Sequence, residues 1–296
     1  MIRIMISKDI RQTHEYARYM EILGWKTEKY EVGSIKNRVF IRNIPLIGKI
    51  AKIQRPQCVP NKKQLEKLQQ NYSLAAIYIE PQEEEQKNPS AFSIAKTCFL
   101  PPKTIHINLE QSEEKIFNQM KSKTRYNIRL SQKRRMSIQE SSNIDAFIKL
   151  WHEGAKKRGN FFSQKKEIQA LWDAFEKKAH LLLANNTTLL HRSVVNPLAG
   201  ILLIKSPTTT YYMYAASTKE GNRLFAPTLL TWEAIKLAKK IGCKIFDFEG
   251  IYDKRYPQTK SWKGFTRFKE GFGGNTIEYP KTLVRYYNPL LRILSL

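Results

Sequence analysis

Cysteine is scarce in this chain: Cys58, Cys98 and Cys243 are the only three in 296 residues, and none has CxxC spacing. That excludes a disulfide framework and a cysteine-built zinc site, and it fits a reduced, cytoplasmic setting. The five histidines (His14, His106, His152, His180 and His191) show no HxxxH or HExxH spacing, so a hydrolytic metal centre is not expected. No GxSxG elbow, Walker loop or kinase signature occurs. No run approaches the ~20 apolar residues that span a bilayer, and the N-terminal stretch lacks the unbroken apolar core of a signal peptide. Acid is the last shortage. Asp and Glu number 26 against 51 Lys and Arg, a formal charge of +25.

What is present argues for a folded protein. Hydrophobic residues make up 42% of the chain, with 5 Trp, 14 Tyr and 14 Phe, too apolar a mixture for extended disorder. The charge therefore lies on the surface of a packed core. Such an excess predicts polyanionic partners: nucleic acid, phosphorylated substrates or the anionic inner leaflet of a membrane. The length suits two domains or one large one.

Hydrophobic periodicity predicts a helix capped by Thr13 and running to Gly24, then strands at 38–42 and 49–53 around a Pro45–Gly48 turn. A short helix over 61–70 precedes a buried strand at 74–79 and a polar loop at 82–90. Residues 104–109 alternate as a half-buried strand, Ser112 opens a helix, and a basic helix or turn continues to Arg135. Helices capped by Asn143 (ending at Gly159) and Ser163 follow. Strands are expected at 181–184, 188–194, 200–204 and 210–215, with an Asn185-Asn186 turn, then a helix from Pro227 to Lys240 and a strand at 244–248. This is a mixed α/β order, played once in each half. The least constrained stretch, 136–145, gives an expected division into residues 1–140, joined by a C-terminal segment 280–296, and residues 141–279.

Three segments could carry chemistry. Lys121 to Arg135 holds seven cations and no acid, with Arg125 and Arg129 on neighbouring turns, as a phosphate-binding helix or a solvated basic face. Lys254 to Lys269 interleaves Lys254, Arg255, Lys260, Lys263, Arg267 and Lys269 with Tyr256, Trp262, Phe265 and Phe268. Cations for phosphates and rings for stacked bases suit a single-stranded RNA end, while core anchoring is the bland alternative. Glu270-Gly-Phe-Gly-Gly274 follows, permitting close backbone approach. In the third, period two places Tyr212 and Tyr214 on one face of a strand, as orienting phenols or as core. Asp247 and Glu249 stand two apart at a strand end, as a paired acid or a loop anchor.

Several of these pieces, in this order, resemble one family, the Fem-type aminoacyltransferases that build interpeptide bridges in peptidoglycan. Arg11-Gln-Thr-His-Glu-Tyr16 is similar to its opening Gln…Trp helix, with Tyr16 in place of Trp, and Ile53-Gln-Arg-Pro56 to its Arg/Lys-Gly-Pro segment. Lys123-Thr-Arg-Tyr-Asn-Ile-Arg129 resembles its "K-x-R-x-x-I-R" helix. Tyr212-Met-Tyr-Ala215, Phe225-Ala-Pro227, Phe246-Asp-Phe-Glu-Gly-Ile251 and Phe268-Lys-Glu-Gly-Phe-Gly-Gly274 resemble its second-domain motifs.

The resemblance implies two GNAT-type acyltransferase domains, each a mixed, largely antiparallel sheet flanked by helices, without the coiled-coil arm of some relatives. It implies transfer of an amino acid from aminoacyl-tRNA to an amine of a UDP-linked or lipid-linked muramyl-pentapeptide, with no metal and no cofactor beyond the tRNA co-substrate. By the same carry-over Lys269 stabilises the reacting carbonyl beside Phe268, Tyr214 contacts substrate and Glu80 is the acid of the first domain, while Tyr212 is a further substrate-binding candidate from its place on the strand. Where relatives carry diphosphate-binding cations, this chain offers Arg18 and, less directly, Lys165. Two other readings stand beside this one. An acyl-CoA-dependent N-acyltransferase would share the fold, but the helix entry at 222–227 lacks the glycine pair that holds the CoA diphosphate. A non-catalytic RNA-binding protein would bind tRNA and form no product. Localisation follows as cytoplasmic, with peripheral contact at the inner leaflet through basic patches and the apolar tail at 288–296 as a further option.

Overall fold

The computed structural model describes residues 8–83, 92–134, 136–157, 164–186 and 196–294. The expectations at Gln82–Ser90 beyond Glu83, at Arg135, at Gly159 and Ser163, and for a strand over 188–194 lie outside the described residues.

The chain forms two compact units. Unit 1 comprises 1–103, 252–261 and 278–296, and unit 2 comprises 104–251 and 262–277. Unit 1 opens with helix α1 (His14–Ile22), whose first turn is capped by the Thr13 hydroxyl accepting from the Tyr16 N–H. Strands β1 (Lys26–Val32), β2 (Ile35–Ile44) and β3 (Gly48–Gln54) form an antiparallel meander. Helix α2 (Lys62–Tyr72) starts with a capping box in which Asn61 and Gln64 bond each other's backbone. It leads into β4 (Leu74–Glu80), parallel to β3, and the short β5 (Ser93–Ile94).

Unit 2 begins at β6 (Lys103–Asn108), followed by α3 (Glu113–Asn118), α4 (Ser122–Lys133), β7 (Met136–Ser141), α5 (Ile144–Lys157) and α6 (Lys165–Phe175). Strands β8 (Ala179–Asn186), β9 (Ala199–Lys205) and β10 (Thr209–Ser217) lead to α7 (Lys219–Arg223), α8 (Ala226–Lys240) and β11 (Ile245–Asp247). Helix α9 (Lys263–Lys269) and β12 (Asn275–Glu278) complete this unit. The chain then returns to unit 1 as β13 (Leu283–Tyr286) and α10 (Pro289–Leu294).

The sheets run β1-β2-β3-β4-β13-β5 and β12-β6-β11-β10-β9-β8-β7. In the first sheet β3 and β4 are parallel and in the second β10 and β11 are parallel, each pair beside antiparallel neighbours. In unit 1 the residues Val39, Ile41, Ala51, Ile53, Ile77 and Ile79 form a core with Leu65 and Leu68 of α2. In unit 2 Ile201, Leu203, Tyr212, Phe246 and Phe248 pack against Leu229, Leu230 and Ile235 of α8. The period-two and period-3.6 patterns in the sequence are these faces.

Three expectations need correction. The division near residue 140 fails because 136–141 is a strand, paired along its length with β8, and β6 is hydrogen-bonded to β11; residues 104–140 therefore belong to unit 2. The Asn185-Asn186 turn is the end of β8. Strand β1 was not expected at all, since its four charges among seven residues mask an edge strand whose one buried residue is Tyr30.

Candidate functional site

The site in unit 2 begins where two parallel strands part. β10 and β11 pair only over Thr209–Tyr211 and Ile245–Asp247. Beyond that point β10 continues to Ser217, while the chain after Asp247 leaves the sheet as a loop. The carbonyls of that loop lose the ladder that would have satisfied them, and an unpaired buried carbonyl is costly. Lys269, the last residue of α9, supplies the donors. Its Nζ donates to Phe248 O and to Gly250 O, each at 2.7 Å.

The Lys269 side chain is only 7% exposed. The Tyr212 ring lies 5.6 Å and the Phe265 ring 4.9 Å from its ammonium, both close enough for cation–π attraction. Burial draws its pKa down from the ordinary lysine value to about 8, against the pull of Glu249 and Asp247. An ammonium carries three N–H groups, and two are taken here. The rings form a sheath around the ammonium, and Phe265 is itself 41% exposed. Trp262 lies beside Phe265 at 5.8 Å between centroids and 36° between planes. Phe268 packs against Phe272 at 5.2 Å between centroids.

The glycine-rich end of the segment fits because side chains would not. Gly273 and Gly274 have φ of 78° and 89°, and a Cβ at Gly274 would meet His106 O at 2.5 Å. Gly271 O accepts from the N–H of Lys121, the residue that precedes α4. The segment following Lys269 is thereby pinned to β6 and to the start of α4.

Tyr214 is not part of this arrangement. A bulge at Met213 shifts the β10 register between Tyr212 and Tyr214, so the two phenols fall on opposite faces instead of one. Tyr212 joins the core beside Phe246 and Phe248. Tyr214 stacks edgewise on Trp151 of α5 at 6.2 Å, and its hydroxyl is 3.5 Å from Glu167 of α6.

The acid pair behaves as a loop anchor. Asp247 Oδ1 accepts from the Thr104 hydroxyl at 2.5 Å and from the Glu249 N–H at 2.7 Å, and Oδ2 lies 3.1 Å from His106 Nε2. Burial alone would raise this carboxyl, but the bonds from His106, Thr104 and the Glu249 N–H outweigh it and hold the pKa below its ordinary value. Glu249 is half-buried in the left-handed region, with φ of 57°.

Of the cations expected to meet RNA, two have structural duties. Arg125 donates to Asn118 O and Met120 O, closing the end of α3. Arg255 forks onto Asp253, with Nη2 to Oδ2 at 2.6 Å and Nε to the same oxygen at 2.9 Å, and its Nη1 meets Glu278 at 3.0 Å. Tyr256 is a fully buried anchor whose hydroxyl accepts from the Thr282 N–H, so it stacks no base. Lys254 and Lys260 are exposed on unit 1, and Lys263 and Arg267 on α9 of unit 2. Arg129, exposed on α4, sits over Phe117 at 5.4 Å. Lys165 is exposed at the start of α6.

Unit 1 holds a second constellation. Glu80, at the end of β4, is 3% exposed. Its carboxylate accepts from the N–H groups of Phe99 and Leu100 at 2.8 and 2.6 Å and from Gln54 Nε2 at 3.1 Å. Near it lies a residue that sequence reasoning missed. Lys52 pairs opposite Phe40 and Tyr78, and its Nζ is 3.6 Å from the Phe99 ring and 4.4 Å from the Trp25 ring. Burial lowers its pKa to about 8, with Glu80 opposing the shift and Arg42 adding to it. The signal was a lysine flanked by apolar residues in a strand that otherwise reads as core. Arg18 is exposed on α1.

Among the described residues no group of three or more His, Cys, Asp or Glu side chains is placed to hold a metal ion, and no helix is long and apolar enough to cross a membrane. The family model described as FemAB family matches residues 95–193 and 185–294, well over half of the chain. Among solved structures, FemX superposes with a TM-score of 0.82 at 17% identity, covering 99% of this chain and 96% of its own. L-PGS from Bacillus licheniformis gives 0.59 at 12% identity, covering 94% and 89%. The C-terminal domain (DUF2156) of an Agrobacterium fabrum protein assigned as a lysylphosphatidylglycerol synthetase gives 0.65 at 10% identity, covering 96% and 91%. No curated protein sequence matches the chain.

Proposed function

The chain belongs to the FemAB family, and on that footing we propose that it transfers an amino acid from an aminoacyl-tRNA to an amine of a peptidoglycan precursor, as a cytoplasmic step in interpeptide bridge synthesis. The observation that supports this reading is the state of Lys269. An aminoacyl ester is already activated, so its aminolysis asks for neither a covalent nucleophile nor a metal. It asks for a placed amine and a fixed positive charge where the oxyanion forms. In the transfer step the acceptor nitrogen bonds to the ester carbonyl carbon and the carbonyl electron pair moves onto oxygen. Collapse of that oxyanion breaks the C–O bond to the terminal ribose, which leaves as a hydroxyl, taking up the equivalent of the proton that the amine loses.

Lys269 is suited to the oxyanion. Two N–H groups clamp the ammonium to Phe248 O and Gly250 O, and the third remains to donate. The surrounding rings exclude water and strengthen the interaction. Access runs past the Phe265 ring, which has to turn aside for the ester to arrive. Trp262 and Phe265 give the terminal bases a stacking surface, and Lys263, Arg267 and Arg129 give tRNA phosphates their counter-charges. On unit 1, Arg18 and Lys52 are the cations we assign to the precursor.

The helix entry that would hold a CoA diphosphate is occupied by Phe225 in the left-handed region, with no side-chain cap, which weighs against acyl-CoA as donor. The test is a mass measurement. The protein is incubated with a mixture of aminoacylated tRNAs and a UDP-linked or lipid-linked muramyl-pentapeptide, with acetyl-CoA, no-tRNA and phosphatidylglycerol arms alongside. A precursor heavier by one amino-acid residue, only where aminoacyl-tRNA is present, is the expected result. Acetylation, tRNA binding without product, or product on phosphatidylglycerol alone would each overturn it.

A further inference from the structure

Unit 1 carries an apolar surface that its own core leaves uncovered. Leu46 stands at the tip of the β2–β3 turn, fully exposed and with φ of 66°. A leucine there is unfavourable twice over: the left-handed region suits glycine or asparagine, and an exposed side chain gains nothing from folding. On α10, Leu290 and Ile293 are 66% and 78% exposed, three residues apart and so on one face, while Leu291 points inward at 4%.

These two segments are neighbours. Ile47, beside Leu46, and Leu291 both pack on the cluster of Ala76, Tyr78 and Val284. Gly48, at the end of the turn, lies so close to Ala75 that a Cβ there would be 3.2 Å from the alanine Cβ. Ala75 O accepts the N–H groups of Tyr287 and Asn288, where α10 begins. Charge adds a second, independent observation. Residues 41–53 and 279–296 contain Arg42, Lys49, Lys52, Lys281, Arg285 and Arg292, and neither stretch contains an Asp or Glu. Arg42, Lys49 and Arg292 are exposed, and Lys281 lies at the other end of β13, beyond Leu283 opposite Ile79.

We propose that this surface docks unit 1 onto an anionic lipid bilayer. Leu46, Leu290 and Ile293 enter the boundary between headgroups and acyl chains, and the exposed Arg42, Lys49 and Arg292 meet the lipid phosphates. A second copy of the chain is a poor occupant, since acid-free patches of the same sign repel each other. Nucleic acid is a poor one too, because aliphatic tips offer no face for stacking. The inference is independent of the transfer chemistry and of Lys269.

Sedimentation with vesicles tests it, using phosphatidylcholine alone and phosphatidylcholine mixed with phosphatidylglycerol. Wild-type protein is expected to partition onto the mixed vesicles, and added salt to weaken that partitioning. The triple variant Leu46→Ser, Leu290→Ser, Ile293→Ser should lose about tenfold or more in partition coefficient with an unchanged melting curve. The pair Lys49→Glu, Arg292→Glu should lose binding as well, and serves if the triple variant fails to fold. Absence of wild-type binding, or a loss of less than about threefold in a folded triple variant, would overturn the proposal. So would an outcome in which the patch drives self-association by sedimentation velocity instead of vesicle binding.

Discussion

Each unit of this molecule holds a lysine among aromatic rings, buried at Lys269 and half-buried at Lys52, and the two are held in different ways. Lys269 in unit 2 and Lys52 in unit 1 both have pKa values drawn down to about 8 by burial. Lys269 gives two N–H groups to backbone carbonyls at 2.7 Å, whereas Lys52 rests on the Phe99 and Trp25 rings. Hydrogen bonds are directional and ring attraction is much less so. The first arrangement fixes where the positive charge sits; the second keeps a charge nearby without aiming it. Electrostatic catalysis needs the aimed kind. The proposed function therefore places the transfer chemistry at Lys269 of unit 2.

The largest expected effect comes from removing the aimed charge. Lys269→Met should lower the rate of aminoacyl transfer by about 10²–10³, the usual loss when an oxyanion donor is removed, in steady-state assays. It also strands Phe248 O and Gly250 O, at a cost of about 1–3 kcal/mol in denaturant unfolding. The two buried carboxylates, Asp247 and Glu80, give the next effect. Asp247→Asn and Glu80→Gln each put an amide where a carboxylate accepts three bonds, and each should destabilise its unit by about 1–3 kcal/mol, read by urea denaturation. Asp247 adds a pH signature. Its folded pKa is depressed, so its contribution is present above the ordinary carboxylate pKa and lost as pH falls through the lower folded value. Asp247→Asn should flatten that acid limb.

Lys52→Met comes last. Maximal turnover should stay within about threefold of wild type, with the change falling on KM for the precursor. Stability offers a finer comparison. Both lysines have folded pKa values below the unfolded value, so between about 8 and the ordinary 10.5 the unfolded chain binds more protons, and stability rises with pH. Each Lys→Met change should remove part of that rise. An unaltered slope in Lys52→Met would break the equivalence drawn between the two sites.

Much of this is legible in the sequence. The helix caps at Thr13, Asn61 and Ser112 are local, and so they were readable from local sequence. The Phe268–Gly274 segment was recognisable because its glycines are demanded by close backbone approach, a requirement that leaves a mark in the residue types. What was hidden depends on contacts distant in sequence. The division at 103/104 rests on pairing between β6 and β11, which lie some 140 residues apart. The bulge at Met213 leaves no trace in YYMYAA, and it decides which tyrosine meets Lys269. The apolar neighbours of Lys52 hint at burial, but only the fold shows that Trp25 and Phe99 are the rings beside it. Arg255 reads as an RNA contact until Asp253 and Glu278 close on it.

The measurement that bears most directly on the central claim is the pH dependence of the single-turnover transfer rate, corrected for spontaneous ester hydrolysis. If the Lys269 ammonium carries the oxyanion, the rate rises as the acceptor amine deprotonates and stops rising near pH 8, where Lys269 begins to lose its proton. The break should persist in Lys52→Met. A rate that keeps climbing with unit slope well past that point, up to the pKa of the acceptor amine, would contradict a catalytic charge on Lys269.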